Sequence, residues 1–203
     1  MTTTTSAPVA APTPQEFGVG ARVTLAVMRD DYVDVILGAL RATDVSGLTV
    51  ATDPVSTFVG GDEQSIVRFL VDLTGRAAAS GAHVSATITF SRGCPGEVAC
   101  SPTVARASEV PSVERVGRDA LAQWALYPLS DAPSADHMRD IYAAIDHAKE
   151  LGTFAGSEHF VTNLRGDLAD VIATAAAGWV LVGRTVPHVT SHLTVSLNSP
   201  SVA

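Results

Sequence analysis

Charged side chains, cysteines and aromatic residues are all scarce in this sequence. Of the 203 residues, 17% are charged and 5% are aromatic, and 13 Lys+Arg against 21 Asp+Glu give a formal net charge of −8. No Lys/Arg cluster interrupts this acidic balance, so binding to nucleic acid or to an anionic membrane surface is disfavoured. The two cysteines, Cys94 and Cys100, are too few for a disulfide scaffold or a cysteine-only metal site.

Long apolar runs are missing as well. The longest, from Val171 to Gly183, has 13 residues, whereas a helix that spans a bilayer needs about 20, so we expect no membrane insertion. Residues 1–16 are rich in Thr, Ala and Pro and lack the basic and apolar parts of a secretory signal. We therefore predict a flexible tail on a cytoplasmic protein. The hydrophobic fraction of 46% is ample for a buried core.

The sequence does contain an internal repeat at an offset of 105 residues. Between Tyr32 and Pro95, about eleven of the 64 positions are identical to their partners in the second half. Gly61-Asp62, for example, corresponds to Gly166-Asp167, where each aspartate is placed to cap a helix. The repeat predicts two homologous units, at residues 17–96 and 120–203, with residues 97–119 as the linker.

Hydrophobic periodicity gives both units the same order of elements. Apolar residues recur at the i, i+3, i+4, i+7 spacing of a one-sided helix at positions 33/36/37/40, 66/69/70/73, 138/141/142/145 and 168/171/172/175. The intervening segments alternate with period two, as half-buried strands do. Each unit thus reads as strand, helix, hairpin, helix, strand. The predicted fold class is α+β, a tandem repeat of two ferredoxin-like βαββαβ units with antiparallel sheets.

In such a unit the two helices cover one face of the sheet, and the other face needs a cover of its own. Sheet-on-sheet packing between the halves, or between the subunits of a dimer, would supply it. We therefore expect a homodimer.

No residues form a recognisable catalytic or metal-binding set. No local signature of a nucleophile is present, and Cys94 has no identifiable activating base. His188 and His192 would lie on one face of a strand, but roughly 13 Å apart, too far for one zinc ion. We predict a protein that is not an enzyme and that holds neither a metal nor a cofactor.

Polar residues do gather in one place in the first unit. Thr43, Asp44 and Ser46 follow the first helix, and the next hairpin carries Thr52, Asp53, Ser56 and Thr57. A few hydroxyls and a carboxylate among apolar walls suit a small heteroaromatic ligand. The alternative is that these residues only end a helix and occupy a sheet edge.

At these residues the sequence resembles the YkoF-like family of thiamine and hydroxymethylpyrimidine (HMP) binding proteins. The resemblance covers about residues 17–201. The matching pieces, in chain order, are Ala42-Thr43-Asp44 with Ser46, Thr52-Asp53, Ser56-Thr57, Gly61, Phe90-Ser91, Gly93-Cys94-Pro95-Gly96, Ala125-Leu126-Tyr127-Pro128, Asp146, Ala148-Lys149, Gly152-Thr153-Phe154, His159, Gly166-Asp167 and Asn198-Ser199-Pro200-Ser201.

The resemblance implies a dimer of chains with tandem ferredoxin-like repeats, each repeat with a pocket for the aminopyrimidine of thiamine or HMP. It also implies a link to uptake of that vitamin precursor by an ABC transporter. For the first pocket we select Thr43, Asp44, Ser56 and Thr57 as ligand-binding residues. For the second pocket we select Tyr127, Asp146, Thr153, His159 and Asn198. Asp44 corresponds to Lys149 and Ser56 to Val161, so the two pockets are not chemically equivalent.

Two other functions stay open from the sequence. One is a module for dimerisation or partner docking that has no small-molecule ligand, for which clefts filled by side chains would argue. The other is an enzyme acting on a pyrimidine or thiazole compound, which rests on Cys94 and His159 alone.

Overall fold

The computed structural model describes residues 13–94, 106, 108–130 and 136–202. Cys100, most of the predicted tail and part of the predicted linker therefore lie outside the described residues. The first repeat comprises β1 (Gly20–Val27), α1 (Tyr32–Ala42), β2 (Thr49–Thr52), β3 (Thr57–Gly60), α2 (Glu63–Ala78) and β4 (Val84–Arg92). The second comprises β5 (Asp119–Leu129), α3 (His137–Glu150), β6 (Phe154–Glu158), β7 (Val161–Asp167), α4 (Leu168–Val182) and β8 (His188–Leu197), before a 3₁₀ turn at Pro200–Val202.

This element order confirms the predicted tandem ferredoxin-like fold. The eight strands form one antiparallel sheet in the order β2-β3-β1-β4-β8-β5-β7-β6. Its centre is the pairing of β4 with β8, which runs from Val84 opposite Leu197 to Arg92 opposite Val189. The two repeats therefore join edge to edge. Of the two covers considered for the open face, sheet-on-sheet packing between the halves is excluded, because the last strand of each repeat takes the other as its hydrogen-bonding neighbour.

The two faces of the central strands differ in chemistry. Towards the helices β4 presents Val84, Ala86, Ile88 and Phe90, all fully buried. Away from the helices, β4 and β8 present half-buried Ser, Thr and His side chains, at positions 85, 87, 89, 91, 188, 190, 192, 194 and 196. The homodimer that would cover this second face stays a prediction.

One aspartate caps the start of the second helix in each repeat, as the sequence predicts. The Asp62 carboxylate accepts a hydrogen bond from the Ser65 amide at the start of α2. The Asp167 carboxylate accepts from the Ala169 amide at the start of α4, and also from the amides of residues 116–118. Asp167 therefore fastens the chain before β5 to the helix as well as capping it. Within the described ranges, no helix is both long and apolar enough to cross a membrane.

The cores of the two repeats place large and small side chains differently. Val23 corresponds to Trp124, because Val23 pairs with Thr57 and Trp124 with Thr162 across equivalent strands. Leu73 corresponds to Gly178 at the 105-residue offset. The Trp124 indole N–H donates to the Ser191 hydroxyl at 2.8 Å. A Cβ on Gly178 would lie 2.5 Å from the Trp124 ring. Because Gly178 has no side chain, α4 leaves a space that the Trp124 indole fills.

Gly178→Ala is expected to destabilise the protein by about 1–3 kcal/mol, because a buried, hydrogen-bonded ring cannot move aside at low cost. Gly38→Ala in α1 is the matched control, since a Cβ there meets nothing within 4 Å. The control should stabilise the protein by about 0.5–1 kcal/mol through helix propensity. Urea denaturation measures both changes, and equal effects of the two substitutions would contradict the packing argument.

Candidate ligand-binding clefts

The first helix of each repeat leaves much of its apolar face uncovered. In α2, whose pattern is the same, Ile66, Phe69, Leu70 and Leu73 are at most 1% exposed. In α1, however, Val33 and Leu37 are 48% and 43% exposed, and in α3 Met138 and Tyr142 are 52% and 59% exposed. Apolar surface left open in this way marks a binding surface more often than a defect of folding.

The uncovered face of α1 forms one wall of a cleft, here called cleft one. It has a volume of about 310 Å³. The opposite wall is the β2–β3 hairpin, and the floor is β1. Its lining residues are Val23, Thr24, Leu25, Tyr32, Ile36, Leu37, Leu40, Leu73 and residues 52–57.

The second repeat has a cleft at the equivalent place, here called cleft two. It has a volume of about 480 Å³, and α3, β5 and the β6–β7 hairpin form its walls. Its lining residues are Trp124, Ala125, Leu126, Tyr127, Met138, Ile141, Tyr142, Ile145, Ser157, Glu158, Phe160, Val161 and Thr162. Ile36, Leu37 and Leu40 correspond to Ile141, Tyr142 and Ile145, so the cleft is a property of the repeat and not of one half.

Both clefts contain a pair of hydroxyls on neighbouring hairpin strands. In cleft one Thr52 and Thr57 are opposite each other, and their hydroxyl oxygens are 3.0 Å apart. In cleft two Ser157 and Thr162 occupy the corresponding pair of positions. Thr57 and Thr162 are only 5% and 7% exposed. A buried hydroxyl can donate one hydrogen bond and accept others, so each pair can bind a ligand that both donates and accepts.

Cleft one also has an ion pair at its rim. Arg22 donates from Nη1 to Asp53 Oδ2 at 2.7 Å and to Ser56 Oγ at 2.6 Å. The other carboxylate oxygen, Oδ1, accepts from the amides of Val55 and Ser56. The hydrogen bond from Arg22 and these two amide bonds lower the pKa of Asp53 to about 2. Asp53 is therefore ionised, and its charge is matched by Arg22.

The tip of the hairpin in cleft two is built differently. Phe160 is 98% exposed and has a φ of 68°. A bulky side chain in the left-handed region costs about 1–2 kcal/mol, and strained residues of this kind cluster at functional sites.

Among the residues selected from the sequence, the structure brings three into the clefts. Ser56 and Thr57 line cleft one, and Tyr127 lines cleft two. Thr43 is buried at the end of α1, where its hydroxyl donates to the Ala39 carbonyl. The exposed carboxylate of Asp44 accepts hydrogen bonds from the amide and hydroxyl of Ser46, which lower its pKa. Neither Thr43 nor Asp44 is among the residues that line cleft one.

The other selected residues of the second repeat also lie outside the lining of cleft two. Asp146 is exposed and pairs with Lys149 at 2.8 Å, and Thr153 is buried with its hydroxyl 2.9 Å from that of Thr174. His159 is exposed at the hairpin tip. The Asn198 amide donates to the carbonyls of Ala78 and Ala82, which fixes the end of β8 against the first repeat.

Several lining residues were not selected from the sequence. Periodicity identifies the apolar faces of α1 and α3, but it marks them as core. A signal for the hydroxyl pairs does exist, because Thr57 and Thr162 are identical at the 105-residue offset and Thr52 corresponds to Ser157.

The residues that the structure describes supply neither a metal site nor a pairing of Cys94 with His159. They contain no group of three or more His, Cys, Asp or Glu side chains able to hold a metal ion. Cys94 follows β4 and His159 joins β6 to β7, so β8 and β5 lie between them. At about 4.8 Å per strand, three strand spacings separate these residues by roughly 14 Å, too far for a thiol and its activating base.

Comparison with known proteins matches both repeats. The sequence pattern of the YKOF-related family covers residues 18–97 and 119–202. The chain belongs to this family. A protein of Bacillus subtilis (strain 168) named "Putative HMP/thiamine-binding protein YkoF" is 33% identical over 185 residues, which cover 90% of this chain and 91% of the relative. The YKOF-related pattern thus spans each repeat as a unit, with its first helix and hairpin, which form the cleft.

In this YKOF-related chain, the hydrogen bonds to Asp53 lead to a prediction about pH. A carboxylate whose pKa falls from 3.8 to about 2 on folding stabilises the protein fully above pH 3.8, and this contribution is lost as the pH falls towards 2. Arg22→Gln should raise the pKa of Asp53 but leave it below 3.8, because the two amide bonds remain. Carboxyl ¹³C shifts followed by NMR measure the value, and a pKa of 3.8 or above in the unsubstituted protein would contradict the geometry.

Proposed function

We propose that this chain is a small-ligand binding protein for HMP or thiamine, and that the aminopyrimidine common to both binds in clefts one and two. The observation that carries the proposal is the recurrence of one site in both repeats: an apolar helix face, held open, opposite a pair of hydroxyls of which one, on Thr57 or Thr162, is buried. The name of the Bacillus subtilis relative supports the choice of ligand.

The size and chemistry of the clefts fit such a ligand. Volumes of about 310 and 480 Å³ lie at the small end of the range for ligand pockets. An aminopyrimidine is a flat, largely apolar ring with an exocyclic amine that donates hydrogen bonds and ring nitrogens that accept them. The hydroxyls of Thr52 and Thr57, or of Ser157 and Thr162, can accept from the amine and donate to the ring.

The wider role is part of the same proposal. We place the protein in the cytoplasm as a non-catalytic homodimer that serves uptake or salvage of the vitamin precursor beside an ABC transporter. The three strand spacings between Cys94 and His159, roughly 14 Å, support the absence of catalysis. The polar open face of the sheet is the surface that a second copy of the chain would cover.

Calorimetric titration with HMP and with thiamine tests the proposal. Thr57→Val keeps the shape of the side chain and removes its hydroxyl, so it should weaken binding at cleft one about five- to tenfold, the effect of one lost hydrogen bond. Asp44→Ala is the matched comparison on the same repeat. It should leave the affinity unchanged, because its carboxylate bonds to Ser46 and is not part of the cleft lining.

Each outcome separates the candidate functions. No heat and no rise in Tm with either compound would overturn the proposal, and an intact dimer in sedimentation would then favour the docking module. A loss of affinity in Asp44→Ala alone would move the ligand from cleft one to the end of α1. Undiminished binding after Cys94→Ser is expected, and consumption of either compound by the protein would instead indicate an enzyme.

A further inference from the structure

The acidic residues of the two clefts differ in their charge partners. In cleft one Asp53 is paired with Arg22. The corresponding acid in cleft two is Glu158, and the position of Arg22 is taken by Gln123, because Arg22 pairs with Phe58 and Gln123 with Asn163 across the equivalent strands. Glu158 pairs with Val161 through the backbone, but its carboxylate forms no hydrogen bond or ion pair with the residues that the structure describes. Cleft two therefore carries an unmatched negative charge that cleft one lacks.

The clefts also differ in their content of aromatic side chains. Tyr32 is the one aromatic residue among the described residues that line cleft one, and the other large apolar side chains there are aliphatic. At three corresponding positions the aliphatic residue of cleft one is replaced by an aromatic one in cleft two: Val23 by Trp124, Leu37 by Tyr142 and Val55 by Phe160. Tyr127 adds a further ring to cleft two. The exposed fractions of Tyr127, Tyr142 and Phe160 are 50%, 59% and 98%, so these rings are available to a ligand.

Aromatic faces around an unpaired carboxylate are suited to one class of ligand. A quaternary ring nitrogen has no N–H to donate, so a protein binds it through aromatic faces and an opposite charge. The thiazolium of thiamine is such a cation. The neutral sum of Arg22 and Asp53 offers a cation no net attraction, and the hydroxyls of cleft one suit an uncharged ring.

We propose that the two clefts select by charge: cleft two binds the organic cation thiamine, and cleft one binds the uncharged precursor HMP. This inference rests on the proposed function for the identity of the ligands, but its physical basis is the difference in charge and aromatic content between the two clefts.

A single tryptophan can report on cleft two. Trp124 lines cleft two, whereas Trp179 lies in the core and its indole N–H has no partner in the described structure. Trp179→Phe therefore removes the second indole without breaking a hydrogen bond. Quenching of Trp124 fluorescence then follows cleft two, and calorimetry on the protein with both tryptophans follows the two clefts together. Both experiments are run near pH 8, where carboxyl groups are ionised.

Glu158→Gln should weaken thiamine binding at cleft two about three- to tenfold and leave HMP binding unchanged. Glu114→Gln removes one carboxylate from an exposed residue that lines neither cleft, and should change neither affinity. Gln123→Arg, which supplies the missing partner, should reproduce the effect of Glu158→Gln. Phe160→Leu keeps an apolar side chain and the same backbone strain, so its weaker thiamine binding would report on the ring face itself.

The charge selection and the proposed function fail in different ways. If both compounds bind but Glu158→Gln and Gln123→Arg alter their affinities equally or not at all, charge selection is overturned and the proposed function stands. If neither compound binds, the proposed function is overturned. In that case 3-benzylthiazolium, a cation without the aminopyrimidine, decides the inference: quenching of Trp124 that Glu158→Gln weakens supports it, and no quenching overturns it.

Discussion

The antiparallel pairing of β4 with β8 is the constraint on which the rest of this molecule depends. It joins the last strands of the two repeats along nine residue pairs, so the eight strands form one continuous sheet, here also called the frame. Both second helices pack on the middle of this frame, and the side chains between them are fully buried. Each first helix and its hairpin consequently lie towards an outer end of the sheet, where none of the described helices and strands of the other repeat covers them.

The two clefts result from the different packing of the first and second helices of each repeat. Helices α2 and α4 bury their apolar faces completely, and they provide the stability that lets α1 and α3 keep part of theirs in water. Exposed apolar surface costs about 25 cal/mol per Å² relative to a buried state, so a flat apolar ligand is favoured there. The two repeats share one sheet, but they differ at their hairpin tips. In cleft one Asp53 is paired with Arg22, whereas in cleft two Phe160 is exposed and has a strained backbone conformation. The difference in charge between the two clefts thus arises at the hairpin tips, whereas the exchange of Val23 for Trp124 lies within the core.

Sequence patterns predict the elements well and their assembly less well. Alternation in β4 and helical spacing in α2 are local, and the structure follows them. The edge-to-edge joint was not predicted, because Val84 to Phe90 would alternate in the same way in two sheets stacked face to face. Likewise, the apolar spacing of α1 matches that of α2, and only the tertiary structure determines which face stays open. Asp44 illustrates a further limit of sequence patterns, which do not show whether a polar side chain is free to bind a ligand. Its carboxylate already accepts hydrogen bonds from the hydroxyl and amide of Ser46 in the same turn.

The joint between the repeats also bears on how this chain could have arisen and how it can be cut. A single repeat would end in β4 as a bare edge of nine residues whose backbone groups could recruit any other strand, a hazard that natural proteins avoid. When the repeat is duplicated within one chain, β4 becomes an internal strand of the sheet, because β8 of the second repeat pairs with it. A fragment that ends after β4 would expose this edge again, so we expect it to self-associate.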